Sequence, residues 1–434
     1  MKQVLIAVLA LILLGPIALL LLLSATPKVD VDPALTSIGT ATPVKVHIAD
    51  PHGVRNVSAW VEQNGSRYQV FNDSRPATRL FFFKNRRPEE VSFNAGTKNA
   101  GALKDGKARL IVEATSNDLR GSTASADREI NVITRPPRIV ADGAQHYINQ
   151  GGCELVTFNV EGFWTDAGEM SGQYKFRSFP MPGKANERFS LFAYPWNLPP
   201  NVTPVVYATN PAGNQAIGHF SFKVFPKKFR KRDLEISDAF LEKVVNDIDP
   251  GGSGDLLTRF LKINGEMRRE NNKTLADLRN KTEQRFLWSG PFLRMNAKAE
   301  SNFADDRSYI YHGKKVDEQV HLGFDLSDVR HSPIRAANDG KIVYADRLGI
   351  YGNCIVVDHG YGLQTIYGHL SQIQVKPGEM VKKGQQMGVS GDTGLAGGDH
   401  LHFSMQVDGV QVNPMEWWDE HWIHDRILSK ISAQ

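Results

Sequence analysis

The sequence contains very little cysteine. Among its 434 residues only Cys153 and Cys354 occur, far apart in the chain and in different predicted domains. An exported protein could pair them, but this separation argues against a bond. We therefore predict two buried free thiols, and a fold that does not depend on a disulfide.

The sequence also has no strong excess of charge of either sign. Its 51 basic and 47 acidic residues give a formal net charge of +4. Nucleic-acid-binding proteins gather their basic residues into a stripe or patch, and the balance here argues against that class. We interpret the short basic run from Lys227 to Arg232 as a solvated linker face.

One long uncharged apolar run is present, from Val4 to Leu23. A helix rising about 1.5 Å per residue would let this run span the roughly 30 Å hydrocarbon core of a membrane. We therefore predict a transmembrane signal anchor at residues 1–26. Because Lys2 precedes the run, the positive-inside rule keeps the N-terminus in the cytoplasm and sends the rest of the chain outside.

This orientation predicts a single-pass protein of the cytoplasmic (inner) membrane, with its bulk in the periplasm or extracytoplasmic space. A cleaved signal peptide is the alternative, although Leu23-Ser24-Ala25 makes a poor cleavage site. No cysteine lies near the end of the run, which argues against a lipid anchor.

Two successive regions are typical of β-sandwiches. Residues 27–134 and 135–228 both consist of short alternating strands separated by Gly, Asn, Asp and Pro turns, with the stiff segment "RPPR" between them. Their endings, "LIVEATSNDLRG" and "VVYATNPAGN", are alike, although any two β domains can share such endings. We predict two tandem immunoglobulin-like modules, which are the expected surfaces for protein partners in the cell envelope.

Residues 229–290 are charged and helical in period. Ser237 is a suitable N-cap for a first helix with a clear apolar stripe. A second helix is predicted from Gly254 to about Glu270 and a third from Lys273. The pattern favours a helical connector or a cap, and does not distinguish the two.

Residues 291–434 are rich in glycine and in short strands, which favours a compact antiparallel β domain and makes the whole chain mainly β. Nine of the thirteen histidines lie here. Those that stand in motifs occur in "HLGFD" (321–325), "YGHLS" (367–371) and "HLH" (400–402). In a strand, His400 and His402 would point to one face and Leu401 to the other.

A hydrolytic zinc site needs three protein ligands, drawn from histidine nitrogen and carboxylate oxygen, with a fourth position left for water. Two histidines and one aspartate satisfy this requirement and leave two histidines over. Residue types alone do not say which histidines are the ligands.

The C-terminal segment resembles the lysostaphin/LytM-type zinc metallopeptidases, which cut peptide cross-links in bacterial cell walls. The resemblance is carried by the H-x-G-x-D motif of His321, Gly323 and Asp325, by "YGHLS" and by the H-x-H motif. The segments "SPIRAANDGKIVYA", "GNCIVVDHG" and "VKPGEMVKKGQQMGVSGDTG", and the ending "VNPMEWW", agree in order and spacing. The resemblance covers about the last 140 residues.

The resemblance implies one zinc ion per chain, held by His321, Asp325 and His402. It leaves His369 and His400 as unligated catalytic residues beside the metal. One of these could take a proton from water and pass it to the leaving amine, and the other could stabilise the developing oxyanion. The remaining histidines of the domain are expected to be ordinary surface or core residues: His312, His331, His359, His421 and His424.

One departure from the family lies upstream of the first motif. Family members commonly have "FG-x-R" there, whereas this chain has "FADDR", with Ala304 in place of the glycine. Arg307 is expected to remain a residue of the groove.

The leading hypothesis is a peptidoglycan endopeptidase that cleaves peptide stems or cross-links. The alternative is a non-catalytic LytM-like scaffold that activates a cell-wall amidase. A third hypothesis, an autoinhibited enzyme, rests on the long stretch between anchor and peptidase, part of which could cover the groove.

Overall fold

The computed structural model describes residues 12, 14–78, 90–184 and 186–432. The chain forms two compact units: unit 1 is Met1–Arg138, Glu161–Asp166 and Ala208–Ala216, and unit 2 is Ile139–Val160, Ala167–Tyr207 and Ile217–Gln434. Among the described residues, no helix is long and apolar enough to cross a membrane. Residues 1–11 and 13 of the anchor predicted at residues 1–26 lie outside that description.

The first β region has two sheets, ordered β1-β3-β6 and β2-β8-β7-β4-β5. Alternation of apolar and polar residues in β3 explains why this segment forms a strand of such a sheet. Val44, Val46 and Ile48 are buried on one face, while Lys45 and His47 are exposed on the other. Both sheets contribute to one apolar core. The immunoglobulin-like topology expected for this β region stays a prediction. The strands are β1 (Lys28–Val31), β2 (Ser37–Ile38), β3 (Thr42–Ala49), β4 (Val54–Gln63), β5 (Ser66–Ser74), β6 (Glu90–Ala95), β7 (Gly106–Ser116) and β8 (Thr123–Val132).

The second β region has sheets ordered β14-β15-β11-β9 and β13-β12-β16-β17, and a parallel pair β10-β18. Cys153, at the start of β11, and Cys354 are both buried free thiols, as predicted. The strands are β9 (Arg138–Ala141), β10 (Gln145–Asn149), β11 (Cys153–Glu161), β12 (Asp166–Ser171), β13 (Tyr174–Arg177), β14 (Phe179–Pro180), β15 (Glu187–Ala193), β16 (Val205–Thr209), β17 (Gln215–Gly218) and β18 (Ser221–Phe225).

The connector contains a strand and two helical runs. Strand β19 (Lys231–Glu235) is followed by α1 (Asp238–Ile248), whose predicted cap Ser237 accepts a hydrogen bond from the Phe240 amide at 3.2 Å. The second run comprises α2 (Leu256–Lys262), a π-helical turn (Ile263–Met267), α3 (Arg268–Asp277) and a 3₁₀ turn (Leu278–Lys281).

The predicted break between a second and a third helix is therefore wrong. No proline or capped start interrupts residues 256–281. The π-helical turn changes the phase of the apolar residues along the helix, and the chain stays helical across it.

The connector packs into the same core as the C-terminal sheet. Leu241, Phe260 and Leu275 of the connector are fully buried in one cluster with Tyr351 and Ile366. In addition, β19 pairs in parallel with β21 (Asp305–Tyr311). The segment is therefore integrated in unit 2, while the domain boundaries placed at residues 229 and 290 stay predictions.

The C-terminal region has an eight-stranded sheet ordered β20-β23-β31-β27-β26-β25-β29, with β32 on β31, and smaller sheets β19-β21-β22 and β24-β30-β28. The described pairings of the large sheet are antiparallel, as predicted. Besides β21, the strands are β20 (Lys298–Ser301), β22 (Lys314–His321), β23 (Phe324–Ser327), β24 (Pro333–Arg335), β25 (Gly340–Arg347), β26 (Asn353–Asp358), β27 (Leu363–Leu370), β28 (Gln372–Ile373), β29 (Met380–Val381), β30 (Gln386–Val389), β31 (Leu401–Val407) and β32 (Val410–Val412).

Strands β27 and β31 are buried at every position, which places the centre of the large sheet under cover on both faces. A 3₁₀ turn (Gly349–Tyr351) precedes β26, and the chain ends in α4 (Met415–Trp418), α5 (Glu420–Ile423), a π-helical turn (His424–Leu428) and α6 (Ser429–Ser432). These last elements pack on the second β region, where Lys430 Nζ lies 2.8 Å from Glu154 Oε1.

Candidate metal centre and active site

Strands β22, β23 and β31 deliver the three candidate metal-binding side chains, and β27 delivers the neighbouring His369. Asp325 in β23 is the register partner of His402 in β31, and His402 is in turn the partner of Gly368 in β27, one residue before His369. His321 ends β22, and only two residues separate it from β23. Residues that are distant in sequence therefore meet because their strands are adjacent.

The three predicted ligands converge on one point. His321 Nε2 lies 2.9 Å from both Asp325 Oδ1 and His402 Nδ1, and the last two atoms lie 3.2 Å apart. Tetrahedral zinc with bonds of about 2.0–2.2 Å would place its ligand atoms about 3.3–3.6 Å from one another. All three residues are buried. This donor set, two nitrogens and one oxygen, therefore fits zinc with little movement.

Surrounding groups orient two of the three ligands. His321 Nδ1 lies 3.1 Å from the Asn302 carbonyl oxygen, which can only accept, so Nδ1 donates and Nε2 keeps its lone pair for a metal. Arg307 Nη2 lies 2.7 Å from Asp325 Oδ2 and leaves Oδ1 to face the histidines. The Nε2 atom of His402 is buried and has no hydrogen-bond partner among the described residues.

Gly323 shows why this motif has glycine at its centre. A Cβ at this position would lie 2.7 Å from the Cε1 and Nε2 atoms of His402 and 2.8 Å from the carbonyl oxygen of Phe403. Side chains do not tolerate such approaches. The absence of a side chain at Gly323 therefore makes room for the His402 imidazole.

The two remaining histidines stand side by side next to the ligands. The rings of His369 and His400 have centroids 4.8 Å apart. His369 Nδ1 donates to the Thr393 carbonyl oxygen at 2.8 Å, and His400 Nδ1 donates to that of Gly398 at 2.8 Å. Both Nε2 atoms therefore face the cavity, where that of His400 lies 3.5 Å from Asp325 Oδ1. His369 also has φ of +64°, a strained conformation that is concentrated at functional sites.

Burial and charge set the protonation of the cluster. Burial lowers the pKa of His321 to about 4, against the influence of Asp325, and also lowers the pKa of His402. Burial, with help from His400 and His402, holds the pKa of His369 well below its usual value. Burial acts the same way on His400, but Asp325 outweighs it and raises the pKa of His400.

Asp325 is ionised in this environment. Burial raises the pKa of its carboxyl, but His321, His400 and His402 outweigh this and hold the pKa well below its usual value. A carboxylate beside neutral imidazoles is the protonation state that binds a metal.

The cluster opens into a cavity of about 360 Å³. All five motif residues line it. The opposite wall comes from the connector and includes Arg232, Phe240, Arg268 and Asn272.

The structure thus brings together all five residues predicted from sequence. Arg307, expected only as a groove residue, contacts a predicted ligand directly. The predicted ordinary histidine His359 is a satisfied core residue, with Nδ1 donating to the Asp339 carbonyl oxygen at 2.7 Å and Nε2 2.8 Å from Thr365 Oγ1. Ala304 has φ of +60°, the left-handed conformation that favours the glycine of the family pattern.

Sequence reasoning missed the residues that complete the other side of the cavity. The ring centroid of Tyr351 lies 5.4 Å from that of His402, and the Tyr351 hydroxyl donates to Asn272 Oδ1 at 2.8 Å. None of Tyr351, Arg268 and Asn272 belongs to a motif. The folded connector supplies Arg268 and Asn272, and the 3₁₀ turn before β26 supplies Tyr351. The helical period of the connector predicted its apolar face but not this contact.

Comparison with known proteins agrees with the motifs. Residues 319–414 match the family described as Peptidase family M23. The chain is 37% identical over 97 residues to the DD-carboxypeptidase/endopeptidase Mpg of Neisseria meningitidis serogroup B, which covers 22% of each protein. It is 40% identical over 96 residues to the peptidoglycan DD-endopeptidase ShyA of Vibrio cholerae, again covering 22% of each.

A further relative has a name that mentions no enzymatic activity. Stage II sporulation protein Q of Bacillus subtilis is 34% identical over 102 residues, which cover 23% of this chain and 36% of that protein. The matched segment thus spans about a fifth of the length of the first two relatives and about a third of the length of the sporulation protein. The resemblance predicted from the motifs is confirmed for this segment.

Proposed function

We propose that this chain, whose residues 319–414 form a peptidase family M23 domain, is a zinc metalloendopeptidase that hydrolyses peptide stems or cross-links of bacterial peptidoglycan. The observation that carries the proposal is the convergence of His321, Asp325 and His402 beside two unligated histidines in one cavity. The names of two relatives, a peptidoglycan DD-endopeptidase and a DD-carboxypeptidase/endopeptidase, support this choice of substrate.

The proposed zinc ligands are His321 Nε2, Asp325 Oδ1 and His402 Nδ1. Zinc held there would supply a Lewis acid that polarises the scissile carbonyl and lowers the pKa of water to about 7. The buried, ionised carboxylate and two neutral imidazoles suit this cation, and Arg307 keeps the second carboxylate oxygen occupied.

Proton transfer is the proposed task of His369 and His400. Each ring is fixed by a hydrogen bond from Nδ1 to a backbone carbonyl, so each presents Nε2 to the cavity. One ring accepts the proton of the attacking water and delivers it to the leaving amine, while the other stabilises the negative charge that develops on the carbonyl oxygen.

We also propose that the protein is anchored in the cytoplasmic membrane and works outside it. The support is the uncharged run from Val4 to Leu23, preceded by Lys2. Peptidoglycan lies on that side of the membrane, so anchor and substrate agree. The β regions remain the proposed surfaces for partners in the cell envelope.

A non-catalytic scaffold that activates a cell-wall amidase is the second candidate. It is favoured by the relative named for sporulation rather than for hydrolysis. The intact set of His321, Asp325 and His402 supports the enzyme instead, because a scaffold has no need of metal ligands. Metal content separates the two: we expect one zinc per chain, abolished by His321→Ala or Asp325→Ala, whereas a folded metal-free protein would favour the scaffold.

The direct test uses the full-length protein, purified in detergent, loaded with zinc and incubated with purified peptidoglycan. After muramidase digestion, mass spectrometry of the muropeptides should show fewer cross-linked dimers and more monomers. His402→Ala serves as the control and should leave the profile unchanged. A zinc-containing wild-type protein that also leaves it unchanged would refute the enzymatic proposal.

A further inference from the structure

A second cavity of about 580 Å³ adjoins the proposed catalytic cavity. The two cavities share Arg268, Asn272, Val320 and Leu322 as lining residues. The far end of the second cavity is lined by Trp196 and Phe229, whose rings meet edge to face at 6.4 Å. A peptide longer than the metal site itself would therefore run past Arg268 and Asn272.

The Arg268 guanidinium is held in place but not neutralised. Its Nε donates to the Asn264 carbonyl oxygen at 3.1 Å, and its Nη2 donates to Asn264 Oδ1 at 2.5 Å. Asn264 is fully buried and is itself fixed by a 2.7 Å hydrogen bond from its Nδ2 to Asp317 Oδ2. In the described part of the chain Arg268 forms no ion pair, so its charge and its Nη1 hydrogens remain available.

Asn272 is oriented to donate beside it. Gln411 Nε2 lies 3.2 Å from the Tyr351 hydroxyl, which in turn donates to Asn272 Oδ1 at 2.8 Å. In this series of hydrogen bonds the side-chain oxygen of Asn272 accepts from Tyr351, so the Nδ2 hydrogens of Asn272 are left for a ligand. Arg268 and Asn272 are four residues apart in α3 and therefore lie on one face of the helix.

We infer that Arg268 and Asn272 bind a free carboxylate of the peptide substrate and so determine specificity. A guanidinium beside an amide donor is a good match for a carboxylate, because charge-assisted hydrogen bonds are stronger than neutral ones. Acidic residues also line both cavities: in the first, Glu300 pairs with Lys298 at 2.9 Å and Glu235 is solvent-exposed. In the second, Asp306 pairs with Lys231 at 3.7 Å and Glu318 pairs with Lys315. The inference rests on the proposed function and names the substrate class: peptides with an unamidated carboxylate near the scissile bond.

The position of the carboxylate follows from Tyr351. Its ring lies beside His402 and its hydroxyl reaches Asn272, so the anion site stands about a tyrosine's length from the proposed metal ligands. An extended peptide covers that distance in roughly two residues, at about 3.3–3.6 Å each. Both donors lie before residue 319, where the family match begins, so they belong to this chain's connector and not to the shared domain.

The test compares synthetic cross-linked stem peptides that differ in one group. One has all carboxylates free, one has the terminal carboxylate amidated, and one has an inner carboxylate amidated. With the zinc-loaded full-length protein we expect one amidation to lower kcat/KM by about 10- to 100-fold, since a hydrogen bond to a charged group contributes about 1.5–3 kcal/mol. The amidation that has this effect identifies the carboxylate that is bound.

Arg268→Gln should lower kcat/KM on the free-carboxylate peptide by a similar factor, through KM, and leave the rate on the discriminating amidated peptide unchanged. Arg268→Lys should recover part of the discrimination. Arg269→Gln is the matched control, because it removes the same charge from the next, exposed position and should change nothing. Zinc content and melting temperature, measured in parallel, report on the fold.

Equal losses on free and amidated peptides would overturn the inference, as would a wild-type protein that ignores amidation. If the wild-type protein cleaves no peptide, the proposed function fails, and the inference is then decided by binding. In that case fluorescence anisotropy should still show tighter binding of the free-carboxylate peptide to wild type than to Arg268→Gln. Equal binding would reject the anion site as well.

Discussion

The two walls of the catalytic cavity come from different parts of unit 2 and carry different chemistry. One wall belongs to the family-matched segment and holds the three candidate metal ligands and the two unligated histidines. The other comes from the connector and contributes Arg232, Phe240, Arg268 and Asn272. Among the described residues, the connector wall supplies no candidate metal ligand. The proposed reaction therefore depends on residues of the family-matched segment, while the connector adds groups of different shape and charge to the same cavity.

The largest expected effect tests whether the connector wall is dispensable. A fragment of residues 291–434 lacks eight connector residues that are buried in the shared core: Ile236, Leu241, Val244, Val245, Phe260, Ile263, Leu275 and Leu278. At about 1.5–3 kcal/mol for each large side chain, their loss rivals the whole net stability of a domain, about 5–15 kcal/mol. We expect no cooperative unfolding transition in circular dichroism.

The matched control for that fragment is residues 139–434, which keeps the connector and the second β region of unit 2. A 291–434 fragment that unfolds cooperatively and binds zinc would show that the C-terminal region folds without the connector. The same result would rule out the connector as a structural part of the site.

The second effect sharpens the role of the family wall. His369→Ala should retain zinc and lose about 10²- to 10⁴-fold in kcat, the usual contribution of acid–base catalysis. Its hydrogen bond to Thr393 holds the ring but no strand pairing depends on it. His312→Ala is the control, since that side chain is 70% exposed. Unchanged turnover in His369→Ala would remove this histidine from the mechanism.

A smaller effect is expected at Gly323, where the family wall has no room for a side chain. In Gly323→Ala the new Cβ meets the His402 imidazole, and we expect zinc affinity to fall about 10- to 100-fold, as when an orienting group is disturbed. Competition with a chromogenic chelator measures this. Gly143→Ala, with nothing within 4 Å of the added Cβ, should bind zinc like wild type. Equal affinity in both variants would mean that the His402 pocket is loose.

The smallest expected effect is a change in stability at Ala304, which lies between the connector and the family-matched segment. Ala304 donates its amide to the His321 carbonyl oxygen at 2.7 Å while holding φ of +60°. Glycine relieves a strain of about 1–2 kcal/mol but adds backbone entropy, so Ala304→Gly should stabilise the protein by about 0.5 kcal/mol. Ala337→Gly, at a buried alanine without positive φ, should instead destabilise it by about 1 kcal/mol in denaturant unfolding. Destabilisation in both would contradict the backbone argument.

The residues of the family-matched wall can be predicted from sequence. The candidate ligands and the unligated histidines stand in short motifs whose residue types and order are specific, so the sequence predicts all five. Alternation of apolar residues predicted the β regions, as in Val44, Val46 and Ile48. The apolar stripe and cap of α1 predicted its start at Ser237.

The connector wall could not be predicted in this way. Arg268 and Asn272 reach the cavity because α3 packs beside Tyr351, a residue about eighty positions later, and no local pattern encodes that contact. The sequence pattern also does not reveal the continuity of the second helical run, because a π-helical turn that contains Gly265 shifts the phase of the helix without ending it.

The most direct test of the account is to measure zinc content and turnover together in two variants of the H-x-H pair. His402 lies 3.2 Å from Asp325 as a candidate ligand, whereas His400 Nε2 stays 3.5 Å away and faces His369. We expect His402→Ala to be zinc-free and inactive, and His400→Ala to hold one zinc per chain while kcat falls about 10²- to 10⁴-fold. Loss of zinc in both variants, or full activity in either, would contradict the account.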